Sequence, residues 1–95
     1  MMYKEQLLRE ILDFTERRGK LYFTKEELLI HLWYKYRNGI KFESILRKLR
    51  KLKKEGFLVE KRIEVKEWGI GYAVLYYPLK SKIRAYLNSK SRTLF

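Results

Sequence analysis

The chain has 95 residues and a formal net charge of +12, with 46% apolar and 16% aromatic residues and no cysteine. That length suits one domain over residues 1–95, since a core divided in two would be only marginally stable. The apolar content excludes a wholly disordered basic tail, the missing cysteines exclude a disulfide framework or a thiolate metal site, and the charge asks for a polyanionic partner.

Tyr3, Leu7, Ile11 and Phe14 recur at near-helical spacing, and Leu8 and Leu12 widen the same face, so the first 18 residues are predicted to form an amphipathic helix. Arg17, Arg18 and Gly19 supply a cationic last turn and a stop. Residues 20–23 are expected to form a brief strand. Thr24 followed by Glu27 has the spacing of a capping box and opens a second helix with Leu28, Leu29, Leu32, Trp33 and Tyr36 on its apolar side. Asn38-Gly39 is expected to end it with a residue at positive φ. A third helix is predicted over 42–55, with Phe42, Ile45, Leu46, Leu49 and Leu52 facing the core and Gly56 as the stop.

After Gly56 the period changes to two. Phe57, Val59, Ile63 and Val65 fall on alternate positions, and beyond Trp68-Gly69-Ile70-Gly71 the run 72–77 is rich in β-favouring residues. A hairpin is predicted, with Glu60, Arg62, Glu64 and Lys66 on its wetter face and Pro78 ending the second strand. Residues 80–88 are predicted as a short helix carrying Ile83 and Leu87 on one side, followed by a basic tail, 89–95, that frays.

Charge is unevenly placed along this order. Residues 1–19 and 56–79 are each neutral in sum, so the whole +12 comes from 20–55 and 80–95. With the apolar stripe of the third helix turned inward, helical geometry sends Ser44, Arg47, Lys51 and Lys54 outward and leaves Lys48 and Arg50 on the flanks. Mixed signs would be expected on an ordinary solvated helix. No apolar run approaches the roughly 20 residues that span a bilayer, and the start MMYKEQLLREIL lacks the order of a secretory signal. A soluble protein of the cytoplasm, its own or a host's, without membrane contact is the expectation.

The order helix, brief strand, helix, turn, helix, hairpin resembles the winged helix-turn-helix family over residues 4–78. The small size and abundance of Lys and Tyr are also similar to compact regulators of archaea and their viruses. The expected fold class is therefore α+β, a winged helix-turn-helix with a C-terminal helix. The resemblance implies that the third helix enters the major groove of double-stranded DNA, that the hairpin, or wing, approaches the backbone or a minor groove, and that the protein regulates transcription.

Within that frame Arg47 is the candidate for a bidentate contact to a guanine edge, with Ser44 making a shorter contact nearby. Lys48, Lys51 and Lys54 suit phosphates, and Lys41 with the first amides of the helix suits another. Arg50 lies between faces. Lys66 and Trp68 on the wing either touch nucleic acid or shape the hairpin. Alternatives stay open: nonspecific DNA binding, a single strand or RNA stacked on Tyr72, Tyr76 or Trp68, or a winged helix that meets an acidic protein.

His31 is the chain's one histidine and has no cysteine to join it in a metal site, while Thr24 is explained as a helix cap. No catalytic constellation, metal or cofactor is expected. Tyr3, Leu7, Ile11, Ile83 and Leu87, on terminal amphipathic segments, are expected to form the contacts of a homodimer that reads two half-sites.

Overall fold

The computed structural model describes residues 2–64 and 71–92. In chain order the elements are α1 (Lys4–Arg17), α2 (Lys25–Tyr36), a 3-10 turn (Arg37–Gly39), α3 (Phe42–Lys54), β1 (Leu58–Glu64), β2 (Tyr72–Pro78) and α4 (Lys80–Arg92). The two strands pair antiparallel in a two-stranded sheet, in a register running from Leu58 opposite Pro78 to Glu64 opposite Tyr72.

Local chemistry sets the helix ends. Thr24 and Glu27 form the reciprocal capping box: the Thr24 hydroxyl accepts from the Glu27 amide at 3.2 Å, and the Glu27 carboxylate accepts from the Thr24 amide at 3.3 Å. Both α1 and α3 close with a left-handed glycine. At Gly19 (φ +61°) the amide of Lys20 reaches back to the Thr15 carbonyl at 2.9 Å, and at Gly56 (φ +85°) the Phe57 amide reaches the Leu52 carbonyl at 2.9 Å. The second closure places Phe57 under α3, where its ring is buried. α2 ends differently from expectation, since the positive φ falls on Arg37 (46°) and not on Asn38 or Gly39.

One apolar cluster joins the elements: Leu7, Leu8, Ile11 and Phe14 of α1, Leu28 and Leu32 of α2, Ile45, Leu49 and Leu52 of α3, Phe57 and Leu58 at the hairpin base, and Ile83 and Leu87 of α4. Phe23 enters from the loop before α2. Its backbone exchanges hydrogen bonds with Tyr76 at 3.0 and 2.9 Å and its ring stacks on Tyr76 at 5.6 Å. The brief strand expected over residues 20–23 is thus a single bridge, on the edge of β2 that β1 leaves open.

A polar cluster pins α1 to α2. Glu10, almost fully buried, accepts a hydrogen bond from the Tyr36 hydroxyl, lies 2.8 Å from the Lys35 ammonium and 3.5 Å from His31 Nε2. Burial pushes the Glu10 carboxyl up, but the bonds from Lys35, Tyr36 and His31 outweigh it and hold the group below the ordinary carboxylate value. His31 also packs against Phe14, with ring centroids 4.9 Å apart, so it has a structural place.

Four expectations need correction. Val59 and Ile63 are exposed while Leu58 is buried and Glu60 half-buried, because the face of β1 turned toward α3 is the even-numbered one and β1 becomes exposed beyond Glu60. Phe42 is about half exposed, since the first turn of α3 projects past the core that buries Ile45 and Leu49. α4 continues to Arg92, so residues 89–92 belong to a helix and not to a frayed tail. Leu7, Ile11 and Ile83 are fully buried and Leu87 nearly so within this one chain. Of the residues expected to make homodimer contacts, these four lie inside the chain's own core cluster and only Tyr3 is exposed.

The resulting topology, three helices followed by a two-stranded antiparallel hairpin and a last helix, is an α+β winged helix-turn-helix fold with a C-terminal helix.

Candidate nucleic-acid interface

α3 sorts its side chains by angle. Ile45, Leu49 and Leu52 bury one face, and at about 100° per residue Arg47 and Lys54 lie opposite it, flanked by Glu43 and Arg50 on one side and Lys51 on the other, with Ser44 further round. Arg47, Arg50, Lys51 and Lys54 are all exposed, which moves Arg50 from an intermediate position onto the outward face. Ser44 is half-buried. Lys41, the N-cap residue, is exposed and its side chain makes no capping bond.

Several cations elsewhere in the molecule are paired with carboxylates and, among the described residues, those of the outward α3 face are not. Lys4 meets Glu55, Arg17 meets Asp13, Lys20 meets Glu27, Lys35 meets Glu10, Lys53 meets Glu60 and Arg84 meets Glu16. Among the described residues, no carboxylate lies within ion-pair distance of Lys41, Arg47, Arg50, Lys51 or Lys54. The last turn of α3 makes the contrast within four residues: Lys53, directed at the hairpin, sits 2.9 Å from Glu60, while Lys51 and Lys54 are left open to solvent. Arg50, Lys51, Lys53 and Lys54 line one open surface groove of about 530 Å³.

Lys48 is placed otherwise than expected. It is half-buried and its ammonium donates to the Met2 carbonyl, so it fastens α3 to the segment before α1. Lys66 and Trp68 lie outside the described residues. The described part of the wing presents Lys61 over the Tyr77 ring at 5.0 Å and Arg62 over the Tyr72 ring at 5.1 Å. Each contact covers one face of its ring, and Tyr72 remains 59% exposed. Tyr76, buried against Phe23, offers no open face.

Two residues, one on α2 and one in the first turn of α3, are not singled out for the site by the sequence. Trp33 and Glu43 share a groove of about 580 Å³ with Lys41, Ser44 and Arg47. The sequence places Trp33 on the apolar side of α2, yet it lies about 120° round the helix from the centre of the Leu28 and Leu32 stripe, and it is 48% exposed. The helical angle was readable in the sequence. The neighbouring groove was not.

Among the described residues, no group of three His, Cys, Asp or Glu side chains is arranged to hold a metal, and no helix is long and apolar enough to cross a membrane. No family model, curated protein or solved structure matches the chain. The fold and the charge on α3 are those of a winged-helix module compatible with nucleic-acid binding.

Proposed function

We propose that the protein binds double-stranded DNA sequence-specifically, without catalysis, as a small transcriptional regulator that lays α3 in the major groove. The observation that carries this reading is the group of cations on α3 that have no carboxylate partner, on a helix whose opposite face is locked into the core. A helix of 13 residues is about 20 Å long, enough to lie along a groove about 12 Å wide. Arg47, central on the outward face, reads a base edge with Ser44 beside it. Lys41, Lys51 and Lys54 contact phosphates, and Arg50 has the reach for either role.

Selection from randomised duplex DNA, followed by binding to the enriched sequence across a salt series, tests the proposal. The expected result is an enriched motif whose affinity falls steeply as salt rises, because phosphate neutralisation releases counterions. Binding without enrichment would overturn sequence specificity. A saturable response only to RNA or to an acidic protein would overturn the assignment to DNA.

A further inference from the structure

We infer that the groove between Trp33 of α2 and Phe42 of α3 holds one unpaired nucleobase at the edge of the duplex that α3 contacts. This inference rests on the function proposed above and adds a second mode of contact to it.

Three observations carry it. Trp33 and Phe42 are 48% and 47% exposed. They line a common open surface groove of about 580 Å³ with Lys41, Glu43, Ser44 and Arg47. The indole is held edge-on by Tyr34, with ring centroids 5.3 Å apart at 78°, so it is oriented by more than its own rotamer. A paired duplex hides the faces of its bases by stacking and offers only the thymine methyl as apolar surface in the major groove. An unstacked base has the flat π-face that an exposed indole matches, whichever base it is.

Charge selects the occupant. Lys41 lines the same groove and would hold a phosphate that flanks the base, leaving Arg47 to its base edge, whereas Glu43 beside them repels phosphate and favours base over backbone there. A second copy of the chain on this patch would bring two molecules of charge +12 together beside Lys41 and Arg47 and cover the base-reading face. A nucleotide strand meets both the cations and the aromatic walls.

The experiment uses the full chain carrying Trp68→Phe, which leaves Trp33 as the only indole. Its probes are a fixed-sequence duplex, fully paired, and the same duplex with one extrahelical 2-aminopurine. The bulged duplex is expected to bind about fivefold or more tightly than the paired one, with indole and aminopurine emission both quenched. Adding Trp33→Ala should erase that preference while leaving paired-duplex affinity within about twofold, and Trp33→Phe should keep most of the preference. Equal affinity for the two duplexes with unquenched emission would overturn the inference alone. So would Trp33→Ala weakening both complexes alike, or converting a dimer to a monomer in light scattering, which would show a second copy on the patch. Failure to bind either duplex would overturn this inference and the proposed function together.

Discussion

Lys53 Nζ lies 2.9 Å from the Glu60 carboxylate, so the last turn of α3 is tied to the first strand of the hairpin by a cation that sits next in sequence to one with no such tie. Lys54, one residue on, has the same charge and chain length and a different environment. Lys54→Ala is expected to weaken duplex binding on all sequences and to lower the slope of log affinity against log salt by about one. Lys53→Ala should leave that slope nearly unchanged and cost folding stability only about 0–1 kcal/mol, as for other exposed pairs. Paired salt titrations of the two variants make the measurement.

Arg47→Ala addresses readout. On an enriched duplex and a scrambled one, it is expected to narrow the affinity difference by about 1–3 kcal/mol, the scale of a bidentate base contact. Competition binding with both duplexes at one salt concentration gives the number. A loss of equal size on the two would assign Arg47 to the backbone.

Gly56→Ala tests the closure of α3. Glycine alone takes φ +85° without strain, and a Cβ there would stand 2.6 Å from the Lys82 ammonium, which donates to the Glu55 carbonyl at 2.9 Å. Lys82 is flexible and can yield, so the backbone conformation dominates the cost. A loss of about 1–2 kcal/mol in urea unfolding is expected. A neutral result would mean that the turn finds another conformation.

Glu10 gives the pH dependence. Its pKa is lower in the fold than in the unfolded chain, so the unfolded chain binds more protons as acid is added. The stabilisation is complete above the ordinary value of 4.5 and is lost as pH falls through the depressed folded value. Glu5, Glu27 and Glu60 shift in the same direction and act in the same window. Glu10→Gln is expected to flatten the acid limb of a stability-pH curve and to cost about 1–3 kcal/mol near neutrality, since Lys35 and Tyr36 lose a charged acceptor.

The free chain is expected to hold a constant mass near 11.8 kDa across a dilution series in light scattering, because the apolar faces of α1 and α4 are buried in the chain's own core cluster.

Much of the architecture was readable from local signals. The capping box at Thr24, glycine stops at 19 and 56, and the inward stripe of Ile45, Leu49 and Leu52 each act over a few residues, and a few residues are what periodicity and turn chemistry report. The outward set of Arg47, Lys51 and Lys54 followed from the same angle. What escaped depended on distant partners. Whether Ile11 and Ile83 join the chain's own core or face another molecule, whether the odd or even face of β1 turns toward α3, and that Lys48 is captured by Met2 while Lys53 is captured by Glu60 are all settled by contacts between segments far apart in the chain. Phe42 and Trp33 escaped for a related reason: an apolar residue reads as core until the extent of the core is known.

The unpaired face of α3 also sets two demands against each other. Arg47 with Lys51 and Arg50 with Lys54 are like charges four residues apart, each pair opposing the helix by roughly 0.2–0.5 kcal/mol. A variant chosen for heat resistance alone would gain by placing Glu at 50 or 51, and that gain would come directly out of its grip on a polyanion. Heparin or DNA should raise the melting temperature of the natural chain more than that of such a variant, since the polyanion relieves a repulsion that the variant no longer has. The hardest version of this fold to unfold would thus be a poor binder, and the natural sequence stands well to the other side of that compromise.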